Sequence, residues 1–223
     1  MNMTRLIEKI YFFSEKMFPK IIHQNLIKVY FSIMKQYYKI FGRKYREAET
    51  TKARKRRKNE KFFEKYCVGK GLDVGYGGDL VTNNATGWDF EDGNAQYLER
   101  IDDNSFDFVY TSHVIEHMVD PSISLKNWWR VLKKEGHLIL YLPHRDLYEK
   151  KKTLPSRWNP DHKHFFLEEN HEKPDTLGLR QLLSESIKNY EVIYIKKCDQ
   201  GNTITDPHIH SDGEYSIEAV IKK

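Results

Sequence analysis

Cysteine is scarce in this sequence. Only Cys67 and Cys198 occur among 223 residues. They are too few for a disulfide framework and lack metal-binding spacing, so both are expected as buried thiols of a reducing compartment. Long apolar runs are missing as well. Lys, Glu or Ser breaks the N-terminal stretch every few residues, and nothing approaches the ~20 apolar residues of a spanning helix. A transmembrane helix and a cleaved signal peptide are therefore not expected. Internal repeats are absent too. What is present is a 39% hydrophobic fraction, enough for one good-sized core with an appendage and against global disorder.

Charge is unevenly spread. Residues 1–66 hold 18 Lys and Arg against 6 Asp and Glu, whereas residues 67–223 hold 19 against 26. Two structural units are expected, a basic helical extension over 1–60 and an acidic domain over 61–223. Residues 1–18 and 21–42 read as two amphipathic helices parted at Pro19, with Leu26, Tyr30, Ile33, Met34, Tyr37 and Phe41 at helical spacing. Packing on the domain or on a second copy, giving a homodimer, is the favoured reading. Peripheral contact with an anionic membrane is the alternative. The run Lys52-Ala53-Arg54-Lys55-Arg56-Arg57-Lys58 reads first as a solvated helix or linker face, and second as a contact for phosphates.

From residue 70 the pattern becomes strand–helix alternation, the mark of a parallel α/β sheet. Strands are expected at about 70–74, ending near 89, and at 105–113, 137–143, 190–197 and 214–222, with helices at 114–133 and 176–188. The polar segment 144–175 is too long for an ordinary connection and reads as a substrate lid. The first strand runs into Asp73-Val74-Gly75-Tyr76-Gly77-Gly78. An acid followed by glycines at a strand end suits a turn whose backbone a ligand approaches closely.

Order and spacing then carry more than any single motif. Asp89 follows the second strand, Asn94-Ala95 comes next, and the stretch Phe106 to Pro121 is succeeded by Arg130-Val131-Leu132-Lys133-Lys134-Glu135-Gly136. Over about residues 68–142 this resembles the class I S-adenosylmethionine-dependent methyltransferases, nearest their small-molecule branch and the bacterial enzymes that methylate surface glycans. Glu135 stands where the family phrase has a glycine. The resemblance implies a Rossmann-like, mostly parallel seven-stranded sheet with an antiparallel last strand, and S-adenosylmethionine at the strand ends. It implies cofactor roles for Asp73, Gly75, Gly77, Asp89, Asn94, Ala95, Ser112 and His113.

The acceptor must be argued from the remaining residues. A hydroxyl needs a base, and histidine titrates in the right range. His144, His162, His164 and Asp161 are the catalytic candidates, while Arg145, Arg157 and Trp158 could grip and stack a substrate. No metal site is assigned, although Asp206, His208 and His210 with Asp161 or His162 form a weighed alternative. The leading expectation is a cytoplasmic O-methyltransferase acting on a sugar hydroxyl, in a nucleotide sugar or a capsule or lipopolysaccharide chain, with peripheral placement at the inner membrane face left open. The alternatives are a nucleic-acid methyltransferase using the basic N-terminus and a non-catalytic cofactor-binding or membrane-tethering module. Nucleic acid is disfavoured, because no Asn/Asp-Pro-Pro-aromatic motif occurs and neither cysteine follows a proline.

Overall fold

Short apolar runs alternate with polar turns from residue 70 onward, and in the computed structural model, which describes residues 49–223, they form eight strands. These are β1 (Gly71–Val74), β2 (Ala85–Trp88), β3 (Phe106–Ser112), β4 (Leu132–Pro143), β5 (Phe165–Leu167), β6 (Thr176–Gly178), β7 (Glu191–Cys198) and β8 (Ser216–Lys222). Six of them make one sheet in the order β2-β1-β3-β4-β8-β7, and β5 pairs with β6 separately. β1 is parallel to β2 and β3, β3 is parallel to β4, and β8 runs antiparallel to both β4 and β7. The fold is thus Rossmann-like with an antiparallel last strand, but the main sheet has six strands instead of seven. Between β2 and β3 the backbone is used up locally. Asn94 O accepts from Tyr97 N and Leu98 N, and Leu98 O accepts from Ile101 N, which leaves turns where a further strand would need free edges.

Among the described residues five helices accompany the sheet: α1 (Glu49–Asn59), α2 (Phe62–Tyr66), α3 (Pro121–Val131), α4 (Arg145–Tyr148) and α5 (Leu179–Ser186). The helix expected over 114–133 is shorter than its apolar spacing suggests. Ile115–His117 is a 3₁₀ turn, and α3 starts only at Pro121, with Asp120 Oδ1 accepting from Ile123 N at 3.0 Å. Proline at the first helical position with an aspartate cap before it is a start signal. The core lies between α3, α5 and the sheet, where Leu72, Val74, Val109, Trp128, Leu138 and Leu140 are all at most 1% exposed.

The basic run of 52–58 is helical but not wholly solvated. Arg57 is 2% exposed. Its Nε donates to Glu218 Oε2 at 2.6 Å and its Nη1 to Tyr110 Oη at 2.8 Å. Tyr141 and Glu218 are register partners across β4 and β8, so they present one aromatic-and-acid surface to α1. Arg56 adds bonds to Glu214 and Glu218. The described residues fall in one compact unit, Ala48–Lys223. The amphipathic helices expected at 1–42, with their membrane and dimer readings, lie outside the described residues. Among the described residues no helix is long and apolar enough to cross a membrane.

This topology fixes where chemistry can happen. β1, β2, β3, β4 and β7 all point the same way, so their C-terminal ends share one edge. In open α/β sheets the ligand crevice lies outside that edge.

Candidate active site

β1 ends in the glycine turn. Gly75 and Gly77 have φ of +71° and +55°, in the left-handed region where a side chain is strained. A Cβ at Gly75 would also strike Val114 Cγ2, whereas one at Gly77 would meet nothing within 4 Å. The turn therefore presents bare backbone at Gly77. Asp73 lies beneath it, 2% exposed, and its Oδ2 accepts from Val81 N at 2.6 Å. That oxygen closes the turn, and Asp73 also lines a small cavity together with Gly75 and Ser112. Burial is the main reason its pKa rises to about 7, against the opposing Val81 bond.

At the end of β2 the Asp89 carboxylate accepts from Gly77 N at 3.0 Å and from Phe90 N at 2.9 Å. The acid and the glycine turn, twelve residues apart, thus meet. Phe90 beside it is 97% exposed, an aromatic face that the sequence reading missed. Asn94 Oδ1 accepts from Gln96 N at 2.9 Å, and Ala95 O accepts from Trp128 Nε1 at 2.8 Å. Both residues shape the following turn.

The end of β3 supplies the third wall. Ser112 Oγ is buried with no hydrogen-bond partner among the described residues. His113, at φ +58°, places Nε2 3.3 Å from Ser216 Oγ and Nδ1 3.5 Å from Glu116 Oε1. Glu116 is 1% exposed, and burial pushes its carboxyl up to about 8. Its neighbour His117 has Nδ1 2.9 Å from Asp161 Oδ2, and His162 has Nδ1 3.2 Å from Glu149 Oε1. Lys163 N donates to Glu116 O at 2.8 Å, which ties the 144–175 insert to this turn.

A family model described as a methyltransferase domain matches residues 29–140, half of the chain. The chain belongs to the methyltransferase-domain family. It is an S-adenosylmethionine-dependent methyltransferase, and S-adenosylmethionine is its cofactor. No curated protein sequence matches it. Solved structures similar to this methyltransferase include an S-adenosylmethionine-dependent methyltransferase from Archaeoglobus fulgidus, 13% identical, covering 87% of this chain and all of that one, with a TM-score of 0.47. Another from Aquifex aeolicus is 14% identical over 73% of this chain and 88% of that one, TM-score 0.45. A third, from Thermotoga maritima, is 17% identical over 70% and 84%, TM-score 0.40.

The methyltransferase's own geometry fits the cofactor at the glycine turn, because open backbone at Gly77 meets the Asp89 carboxylate there, with exposed Phe90 next in sequence. The histidines expected as bases fare differently. His144 caps α4: its Nδ1 accepts from Asp146 N at 3.1 Å and its Nε2 lies 3.0 Å from Glu168 Oε2. It is 5% exposed with both ring nitrogens engaged, so here it braces the insert. Arg145 is engaged in the same way. It is 4% exposed and donates to Asp146, Glu172 and Thr176, which leaves no free fork for a substrate. His164 is half-buried, its Nε2 without a hydrogen-bond partner among the described residues, and burial holds its pKa below the usual value. Only His162 and Asp161 join the cluster around Glu116.

Arg157 is exposed, its Nη1 3.5 Å from His208 Nδ1. Trp158 donates Nε1 to Tyr148 O at 2.8 Å and packs edge-on against His210. His208 and His210 are not drawn together with Asp206 and Asp161 into a ligand set. Among the described residues the one such grouping is Glu116, His117 and His162. The methyltransferase sequence does print Glu116-His117 within the stretch that carries the resemblance, but gives no sign that His162 reaches it from 45 residues away.

Proposed function

We propose that this methyltransferase methylates a hydroxyl of a sugar, carried on a nucleotide or within a capsule or lipopolysaccharide chain. The observation that carries the reading is the cluster of Glu116, His117 and His162 directly after β3, next in sequence to the Ser112–His113 wall. Each histidine has Nδ1 held by a carboxylate, Asp161 or Glu149. That fixes the tautomer and leaves Nε2 as an acceptor, the arrangement a base needs. When bound, the cofactor supplies a methyl group already activated on sulfonium. Gly75, Gly77 and Asp89 would hold it, with Phe90 offering a stacking face and Ala95, Ser112 and His113 lining the remainder. The chain's own task is to align the acceptor oxygen, exclude water and take up one proton.

An anionic acceptor is favoured by a cavity of about 430 Å³ between α4 and the loop after β7, on the same edge of the sheet. Lys150, Lys151 and Lys152 line it with Asp146, Asp199 and Asn202, and Lys150 and Lys151 also donate to the carbonyls of Asp206, Ile209 and Pro155. Nucleic acid fits less well, since Arg54, Arg56 and Arg57 all bond within the protein. The reading carries a cytoplasmic location, which suits the two buried free thiols.

The test is a screen of nucleotide sugars with the full-length protein and S-adenosylmethionine. A product heavier by one methylene, with the methyl on oxygen, is expected. Replacing Lys150, Lys151 and Lys152 together by Ala should raise KM for that acceptor roughly tenfold, the cost of about 1.4 kcal/mol of lost charge contacts, and leave cofactor affinity unchanged. Transfer to RNA or DNA but to no sugar contradicts the proposal.

A further inference from the structure

Three ligand-bearing side chains meet at one point, more than proton uptake requires. Glu116 Oε1 lies 3.9 Å from Nε2 of His117 and 3.9 Å from Nε2 of His162. The ligand atoms all fall within 4.8 Å of one another. The two imidazole planes are inclined at 80°, so the rings meet edge to face and do not stack.

Two independent features show that the point is built and not accidental. Neither carboxylate oxygen of Glu116 accepts a hydrogen bond among the described residues, although the side chain is 1% exposed and His113 Nδ1 lies 3.5 Å from Oε1. A bare buried carboxylate is destabilising unless a proton or a cation neutralises it. Moreover, both histidines point their other nitrogen at a carboxylate, His117 at Asp161 and His162 at Glu149. Glu149 is itself fixed by Ser156 Oγ at 2.5 Å and Arg157 N at 2.8 Å. Carboxylate–histidine pairing of this kind orients imidazoles that ligate metals and raises their basicity.

We propose that Glu116, His117 and His162 bind one divalent transition-metal ion. Two imidazole nitrogens and one carboxylate oxygen, with positions left open, form a donor set for Zn²⁺ or Fe²⁺ and not for Mg²⁺ or Ca²⁺, which take oxygen ligands. Bonds of about 2.1 Å in a tetrahedral arrangement place ligand atoms roughly 3.4 Å apart, so each 3.9 Å separation closes by about 0.5 Å. A hydroxyl bound to such an ion loses its proton more readily. In that use the site rests on the proposed O-methylation and replaces a free imidazole base by a metal-bound oxygen. Its affinity for metal rests on the three side chains alone.

The full-length protein is stripped with a chelator and titrated with Zn²⁺, and separately with Co²⁺ for its visible absorption, in the absence of any acceptor. One ion per chain is expected. Glu116→Gln, His117→Ala and His162→Ala should each weaken binding by about 100-fold or more, and Asp161→Ala by about 10–100-fold. His208→Ala and His210→Ala should leave it unchanged. Glu116→Gln keeps the side chain's shape, and melting temperatures measured alongside separate lost binding from lost fold. Less than one tightly held ion, or unchanged affinity in the first three variants, overturns the site. Methyl transfer and S-adenosylhomocysteine binding on the same samples keep the two readings apart. Full-rate transfer by metal-free protein sinks the ion's part in methyl transfer and supports the histidine base. A bound ion without cofactor binding sinks the function and supports the site.

Discussion

At the scale of single residues, Asp73 shows how an acid at a strand end braces the glycine turn that follows it. It sits at the end of β1, buried, with Val81 N as its partner across the glycine turn. Its pKa is about 7 in the fold against an ordinary 3.8. The unfolded chain therefore releases this proton near pH 4, while the folded chain keeps it until near pH 7. Stability is lost as pH rises through that window and is flat above it. Asp73→Asn retains an acceptor for Val81 and removes the ionisation. Its stability relative to wild type should therefore rise between pH 4 and pH 7, by up to a few kcal/mol. Urea midpoints at pH 5 and pH 8 measure this, and an equal difference at both values contradicts it. Individual roles were unevenly legible in the sequence. Motif order singled out Asp89 and Gly77 separately, and the hydrogen bond between them is seen only in the fold. The commitment of His144 and Arg145 to Glu168, Asp146 and Glu172 was not legible, because partners 24 and 27 residues away are set by how the insert folds.

At the scale of elements, α1 shows the limit of reading charge from composition. A lysine- and arginine-rich helix normally faces water. Here Arg57 enters the protein because β3, β4 and β8 raise Tyr110, Tyr141 and Glu218 on the face it covers. Its guanidinium lies 4.6 Å from the Tyr141 ring centroid and 4.8 Å from that of Phe62. Burial alone would raise the pKa of Glu218, but Arg57 and Arg56 outweigh it and bring it to about 2. A depressed carboxyl contributes stability above its ordinary pKa of 4.5, and this contribution is lost as pH falls from there towards 2. Arg57→Ala strips Glu218 of its closest cation and should cost about 3–5 kcal/mol at pH 7. Exposed Lys58→Ala should change stability by no more than about 0.5 kcal/mol. Chemical denaturation distinguishes them, and similar values for both variants refute the anchoring role of α1.

At the scale of the whole molecule, the strands were the most legible part. Apolar runs bounded by Gly, Pro and Asp gave β1, β3 and β8 within a residue or two, and the antiparallel last strand followed from the family resemblance. The strand count was not legible, because turns such as Asn94–Ile101 are decided by local backbone bonds that leave no periodic trace. The association of His162 with Glu116 arises only when the insert folds back over the β3 end, so no spacing rule could report it. The account as a whole depends on one ligand seat, a bare glycine backbone with Asp89 beside it. The direct measurement is calorimetric titration of S-adenosylhomocysteine into the full-length protein and into Asp89→Ala, with melting temperatures confirming that both are folded. Wild type should bind one equivalent, and the variant should bind about 10–100-fold more weakly, the loss of a charge-assisted hydrogen-bond set. No binding by the folded wild type, or the same affinity in both proteins, would contradict it.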